Sequence, residues 1–355
     1  MQKAKGRGVS AAAPAVVLAV VLAVLLAVLA VAAPCRPAFA QQPGNMGPPA
    51  LVQLKAGISD PVNTVLAWYM ARAAGVYTAQ GLGVDIVNMN GGSRGAEELA
   101  AGRIDLMHVG LSSVIKVNQG GGELRVIGSL SNVIRFTFFS APGVKTAADL
   151  KGGVVGVSTF GSESDSTVTL ALAKLGLTRD DVVIKEYGGG AKRLEAVRKG
   201  EIKATAINEP TASLAREEGV NVLVDLVPDQ IPWLFSGIVV RKDDISARRD
   251  LLTRFLKASI EGNLIALTDE KRAKEVLAKE LKITSPKVLE ITYNDFKQQS
   301  PPNLEPSAEG AQNILKQFPN VSQKISDYVD LSLLDGLKKD GTLAALAQKY
   351  GTPKP

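Results

Sequence analysis

From Leu51 to about Val240, short apolar runs alternate with stretches in which apolar residues recur every three or four positions. The runs predict strands at Leu51–Ile58, Val84–Met89, Ile104–Val109, Leu124–Ser129, Val154–Val157, Val182–Glu186, Ala204–Ile207 and Val222–Val224. Helices are expected between them at Thr64–Ala74, Ala96–Ala101, Asp165–Leu175 and Ala191–Lys199. Strands that alternate with helices call for parallel-dominated sheets flanked by helices, an α/β fold. After Ser246 the pattern turns almost wholly helical, at Arg248–Leu267, Lys271–Leu281, Pro286–Lys297, Ala308–Gln317 and Leu343–Lys349.

The chain also echoes itself. Gly92, Glu97, Leu99, Gly102 and Ile104 return 98 residues later as Gly190, Glu195, Val197, Gly200 and Ile202. Gly57-Ile58-Ser59 returns as Gly156-Val157-Ser158. Each copy opens with a strand ending in Ser and continues through a Gly-rich loop into a helix, so two similar lobes in tandem are expected. The spacing is too long for a solenoid. Val133–Ser140 and Ser236–Arg241 are extended runs placed to link the lobes as a double-strand hinge, about which rigid lobes close on a ligand. They also fit ordinary strands of one larger domain. The two-lobe reading divides the chain into residues 51–136 for the first lobe, 137–238 for the second, and 239–355 for a helical tail.

Residues 1–40 carry the pattern of an export signal. Lys3, Lys5 and Arg7 lead into an apolar run from Pro14 to Ala33, and Ala38-Phe39-Ala40 forms a small-x-small cleavage site. Cleavage after Ala40 and a location outside the cytoplasmic membrane are expected, followed by a flexible leader over 41–50. Left uncut, the run of about 20 residues is long enough to anchor the chain in a bilayer. The signal changes the charge picture. The net charge of +6 falls to +2 once residues 1–40 go, leaving 37 basic against 35 acidic residues, which calls for no polyanionic partner. Cleavage also removes Cys35, the single cysteine, and with it any disulfide or thiol chemistry. The 34 glycines and 5% aromatic content suit many tight βα turns better than a β-sandwich.

Catalytic and cofactor motifs fail one by one. The single histidine, His108, sits in Ile104–Val109 and reads as a buried strand residue, with no partner set for a zinc site or a Ser/His/Asp triad. Gly156–Glu163 has the glycine spacing of a phosphate loop but places Ser162-Glu163 where Lys-Ser/Thr is needed. Gly188-Gly189-Gly190-Ala191-Lys192-Arg193 has Arg193 in place of the third dinucleotide glycine. No metal, no cofactor and no nucleic-acid partner is expected, and no enzyme.

Small polar residues remain, just after the predicted strands: Ser59, Asp60 and Asn63; Gly91 to Arg94; Gly110 to Ser113; Ser158, Thr159, Gly161 and Ser162; Tyr187 to Gly190; Asn208 and Glu209. In open α/β sheets ligands bind beyond the carboxyl ends of strands, where helix N-termini offer free N–H groups. Taken singly, each residue is as well explained as a helix cap. Their clustering in two lobes argues for one shared site.

The chain resembles the periplasmic solute-binding proteins of ABC importers, in the family of sulfonate, taurine, nitrate and thiamine-pyrimidine binders. The resemblance spans about Leu51 to Val240. It rests on Ala73–Val84, Leu99–Leu106, Asp149–Val157 and Gly200–Ala204. It implies a type II periplasmic-binding-protein fold, in which residues 51–136 are the first part of lobe 1 and 239–355 complete it, and two lobes capture a small organic or anionic solute and hand it to a membrane permease and its ATPase. A monomer is implied. Carried over position by position, the family's ligand contacts fall on Ser59, Asp60, Gly92, Ser93, Ser112, Ser113, Thr159, Gly161, Ser162, Tyr187 and Glu209. The bases near these loops are Arg94, Lys192 and Arg193, whereas Glu163, Asp165 and Glu209 crowd the second lobe. Trp233 and Phe235 are placed to stack on a ring or to fill the hinge core. A ligand sensor for a membrane partner is the alternative class; a thiamine-pyrimidine synthase-like enzyme lacks its cysteine-rich motif here.

Overall fold

The computed structural model describes residues 50–351. The expected signal, its cleavage after Ala40, Cys35 and the leader up to Pro49 lie outside the described residues. Ten strands occur among the described residues: β1 (Val52–Ile58), β2 (Leu82–Asn88), β3 (Leu106–Val109), β4 (Leu124–Val133), β5 (Thr137–Ser140), β6 (Val154–Val157), β7 (Val183–Glu186), β8 (Ala204–Ile207), β9 (Asn221–Asp225) and β10 (Pro232–Arg241). The helices of seven residues or more are α1 (Leu66–Ala73), α2 (Gly92–Ala100), α3 (Leu111–Gln119), α4 (Glu163–Lys174), α5 (Gly190–Arg198), α6 (Thr211–Glu217), α7 (Arg249–Thr268), α8 (Glu270–Leu281), α9 (Pro286–Gln299), α10 (Ala308–Leu315), α11 (Ser332–Lys339) and α12 (Thr342–Tyr350).

The strands form two five-stranded sheets with the same plan, in the orders β2-β1-β3-β10-β4 and β7-β6-β8-β5-β9. Three strands of each are parallel, and the last two are added antiparallel. Central strands such as β3, β5 and β8 are buried at every position, whereas the edge strand β2 is mostly half-buried and the edge strand β7 mostly exposed. Helices on both faces therefore cover the middle of each sheet, as parallel sheets require.

The repeat has a packing cause. A Cβ on Gly57 of β1 would lie 2.7 Å from the Ile104 Cδ1, and a Cβ on Gly156 of β6 would lie 2.6 Å from the Ile202 Cδ1. In both lobes an isoleucine folds flat over a glycine of the first strand. Gly102 and Gly200 take the same left-handed turn, with φ of +73° and +71°, after the corresponding helices.

The chain passes between the sheets twice, and the two passages lie side by side. Ile134 N donates to Ile231 O at 3.0 Å and Leu226 N donates to Phe136 O at 3.2 Å. The return passage precedes Ser236–Arg241, the run read from sequence as the second link. Residue 238 lies inside β10, whose pairing with β4 slips at Ser236, Gly237 and Val239. Such bulges break the alternation of side chains and divide one strand into two apparent pieces.

Helices of the tail pack against α1 and the first sheet. α7 crosses α1 so closely that a Cβ on Gly262 would lie 2.3 Å from the Ala67 carbonyl oxygen. Backbone cannot yield as a side-chain tip can, so Gly262→Ala is expected to lower stability by about 3 kcal/mol in a urea titration.

Arg135, between β4 and β5, is buried and donates from Nε to the Asp295 Oδ1 of α9 at 2.7 Å. Asn63 and Gln299 also donate to Asp295. At the other end of α9, Ser285 Oγ donates to Glu217 at the end of α6 at 3.1 Å. One tail helix is thus bonded to the passage between the sheets and to the second lobe.

Candidate functional site

The two lobes meet where the loops after β1 and β3, with the residues that begin α2, face the loops after β6, β7 and β8. A cavity of ≈ 50 Å³ lies between them, with Ser59, Asp60 and Gly92 on one side and Ser158, Ser162 and Asn208 on the other. Phe136 and Phe235, packed edge to face with centroids 5.2 Å apart, form its apolar wall beside the passages between the sheets.

Two carboxylates cross this cleft in opposite directions. Asp60, from the first lobe, accepts a hydrogen bond from Gly190 N at the start of α5 in the second, at 2.6 Å. Glu163, which begins α4 in the second lobe, accepts from Ser112 N at the start of α3 in the first, at 2.8 Å. Its other oxygen accepts from Trp233 Nε1 of β10 at 2.6 Å. Helix N-termini present unpaired N–H groups and partial positive charge, which is why anions bind there. Here each lobe supplies the anion for a helix of the other. Glycine permits the approach: a Cβ on Gly110 would lie 2.2 Å from a Glu163 oxygen, and one on Gly189 would lie 2.8 Å from the Asp60 Oδ1.

Burial pushes the carboxyl of Glu163 up to about 7, opposed by the bonds from Trp233 and Ser112. Asp60 is raised by the same desolvation, with the Gly190 N–H and the charge of Arg193 pulling the other way. Arg193 is a buried cation on the cavity lining. It donates from Nε to Gly188 O at 2.9 Å and from Nη1 to Thr205 Oγ1 at 3.0 Å and to Ala206 O. Desolvation lowers it to about 10, which leaves it charged at neutral pH.

Of the residues expected from sequence, Ser59, Asp60, Gly92 and Ser162 line the cavity. Ser93 and Thr159 join across the cleft, Ser93 N donating to Thr159 Oγ1 at 3.1 Å. Ser112 enters through its backbone N–H, and its Oγ accepts from Ser166 at 3.1 Å. Ser113 Oγ accepts from Ser93 Oγ at 3.5 Å. Gly161 turns with φ of +74° over the stem of Lys116, and its N–H is held by Asp165, 2.8 Å away. Tyr187 stands outside the cavity, in an adjoining groove of ≈ 740 Å³ that Arg94 and Lys192 also line.

Glu209 lies apart from the cavity lining. Its carboxylate accepts from Ser213 N at 3.0 Å and Arg216 Nη1 at 3.2 Å, both on α6, so it serves the first turn of that helix. Asp165, on the first turn of α4, pairs with Arg179 at 2.7 Å. Asn208 and Phe235, offered by the sequence outside the carried-over contacts, line the cavity, and so do Glu163, Arg193, His108 and Phe136, which it did not offer as contacts. An acid at the first position of a helix, straight after a Gly-Ser loop, was the available signal for Glu163.

A wider groove of ≈ 810 Å³ lies elsewhere, at the C-terminal ends of α2 and α3. Its position opposes the rule that places ligands at the carboxyl ends of strands. Size does not choose the site here.

The NMT1/THI5-like family model matches residues 63–273, more than half of the chain. The riboflavin-binding protein RibY of Chloroflexus aurantiacus is 28% identical over 239 residues, 64% of this chain and 67% of that one. The alkanesulfonate-binding protein SsuA of Xanthomonas axonopodis pv. citri, solved with MOPS bound, superposes with a TM-score of 0.65 at 20% identity, over 80% of this chain and 99% of that one. The periplasmic nitrate-binding protein NrtA of Synechocystis PCC 6803 gives 0.63 at 14% identity, over 86% and 91%. The structural likenesses establish the two-lobed periplasmic-binding-protein fold that the sequence led us to expect. The family match goes further, and the chain belongs to the NMT1/THI5-like family.

Proposed function

We propose that this protein is an extracytoplasmic solute-binding receptor that closes its two lobes on an uncharged, hydrogen-bonding ring compound and delivers it to the permease of an ABC importer. The observation that carries the choice of solute is the pair of crossing carboxylates. Above about pH 7, where Glu163 is ionised, a bare nitrate or sulfonate entering this cleft meets Asp60 and Glu163 against a single buried cation, Arg193. The helix N-termini that would greet such an anion are already bonded to protein carboxylates. The Phe136 and Phe235 wall suits a flat ring, whose polar edge then faces Ser, Asn and carboxylate groups. The riboflavin-binding relative supports the same class. The basic and apolar pattern of residues 1–40 supports the location, and among the described residues no helix is long and apolar enough to cross a membrane.

A cavity of ≈ 50 Å³ is far below the about 300–1,000 Å³ of small-molecule sites. Ring entry therefore requires the lobes to part, and the closed form is favoured by contacts made only there. The test is thermal unfolding with riboflavin, pyrimidines, nitrate, taurine and alkanesulfonates. A true ligand at 100 times its dissociation constant adds about 2.7 kcal/mol. The rings are expected to raise the midpoint and the anions to leave it unmoved. Stabilisation by nitrate or a sulfonate alone would overturn the choice of solute.

A further inference from the structure

We infer that Arg193 and Asp60 together read an amide edge of the bound solute, with Nη2 of Arg193 donating to a ring carbonyl and Oδ1 of Asp60 accepting from the ring N–H beside it. This role rests on the receptor reading above and narrows its solute to lactams and cyclic imides. Arg193 is 3% exposed and lines the cavity. Its fork is only partly engaged by protein. Nε donates to Gly188 O and Nη1 to Thr205 Oγ1 and Ala206 O, which holds the guanidinium plane against β8. Nη2 has no hydrogen-bond partner among the described residues, yet protein does not enclose it. It keeps accessible surface, and the space that the side chain lines is the cavity.

Asp60 is half engaged in the same way. Its Oδ2 accepts from Gly190 N, while Oδ1 has no donor among the described residues. Asp60 feels the charge of Arg193 but shares no hydrogen bond with it. The two groups flank the first residue of α5: a Cβ on Gly190 would lie 3.3 Å from Asp60 Oδ2 and 3.8 Å from Arg193 Nη2. Asn208, 9% exposed at the end of β8, adds a carboxamide on the same lining that has no partner among the described residues. Buried polar groups in folded proteins are nearly always paired, so three open ones around one cavity mark where a solute's polar atoms go. A guanidinium offers donors only and a carboxylate acceptors only. A neutral solute that satisfies both must carry an acceptor next to a donor, as a ring amide does along one edge. A lone carbonyl or an ether would leave Asp60 Oδ1 open.

Riboflavin, whose ring has an imide edge, is the probe, and riboflavin methylated on the imide nitrogen is its counterpart. In titration calorimetry the methylated compound is expected to bind wild type about thirtyfold more weakly, the worth of a hydrogen bond to a charged group. Asp60→Asn keeps an oxygen for Gly190 N but turns an amide NH₂ toward the solute. It is expected to bind riboflavin about thirtyfold more weakly, with no further loss on methylation. For Arg193 the probes are the two compounds in which sulfur, a poor acceptor, replaces one imide oxygen. One of them is expected to bind wild type about tenfold more weakly than riboflavin, and that loss is expected to vanish in Arg193→Met. A methylation loss of equal size in wild type and Asp60→Asn overturns the inference, because it reports crowding alone. Wild type that binds both sulfur compounds as tightly as riboflavin overturns it too, and needs no variant to fold. In either case the ring-solute reading stands. Wild type that binds none of these rings overturns that reading, and the roles of Arg193 and Asp60 fall with it.

Discussion

Asp295→Ala is expected to lower the unfolding free energy by about 3–5 kcal/mol, the largest loss among the single substitutions considered, because it strands a buried guanidinium. Arg135 and Asp295 are both buried, with side-chain exposures of 3% and 8%. Asp295 also accepts from Asn63 at 2.8 Å and Gln299 at 2.6 Å, so its loss leaves three donors without their acceptor. Urea titrations of Asp295→Ala and of the double variant Arg135→Met with Asp295→Leu separate pairing from packing. The double variant is expected to recover much of the loss, since an apolar pair of similar volume carries no desolvated charge. A single-variant loss below about 1 kcal/mol, the range of an exposed pair, would show that this contact does not secure the passage between the sheets.

The second large effect depends on pH. Glu163 titrates near 7 in the folded protein against an ordinary value of 4.5, so between those values the folded form holds more protons than the unfolded one. Its contribution to stability is fully present below pH 4.5 and declines as pH rises through 7, by about 3 kcal/mol in all. His108 works in the opposite sense. Its folded value near 4 lies below the ordinary 6.5, so its contribution grows as pH rises across that interval. The wild-type profile therefore mixes two opposed slopes. The difference between wild type and Glu163→Gln isolates one of them, and wild type is expected to lose its relative advantage steadily from pH 4.5 to 7. A flat difference would mean that the Glu163 carboxyl keeps an ordinary affinity for protons in the closed cleft. Asp60 is raised for the same physical reason and adds to the wild-type slope in the same direction.

The lobes and most strands were legible because their signals are local. Apolar runs marked β6 and β8 to the residue, and the glycine–isoleucine stacking in each lobe left a repeat in the sequence. α3 was not legible. Ser112, Ser113 and the β-branched Val114, Ile115 and Val117 read as poor helix formers, and the group that caps its start, Glu163, lies 51 positions away. Asp60 reaches its partner Gly190 across 130 positions. Contacts of that kind join two lobes and leave no period in the sequence. Glu209 is held by near neighbours instead: it follows a strand like a ligand contact, and Ser213 and Arg216, four and seven residues on, bond its carboxylate. His108 was read correctly as a buried strand residue, and nothing in its neighbours revealed the cavity against which β3 ends.

The central claim is that the cleft takes an uncharged ring and refuses a bare anion, and titration calorimetry tests it most directly. Riboflavin is expected to bind one to one with micromolar or tighter affinity, and nitrate and taurine to give no heat of binding at millimolar concentration. Tight binding of nitrate or taurine, with riboflavin silent, would contradict the account, because it would place an anion beside the two carboxylates that are held here to exclude it.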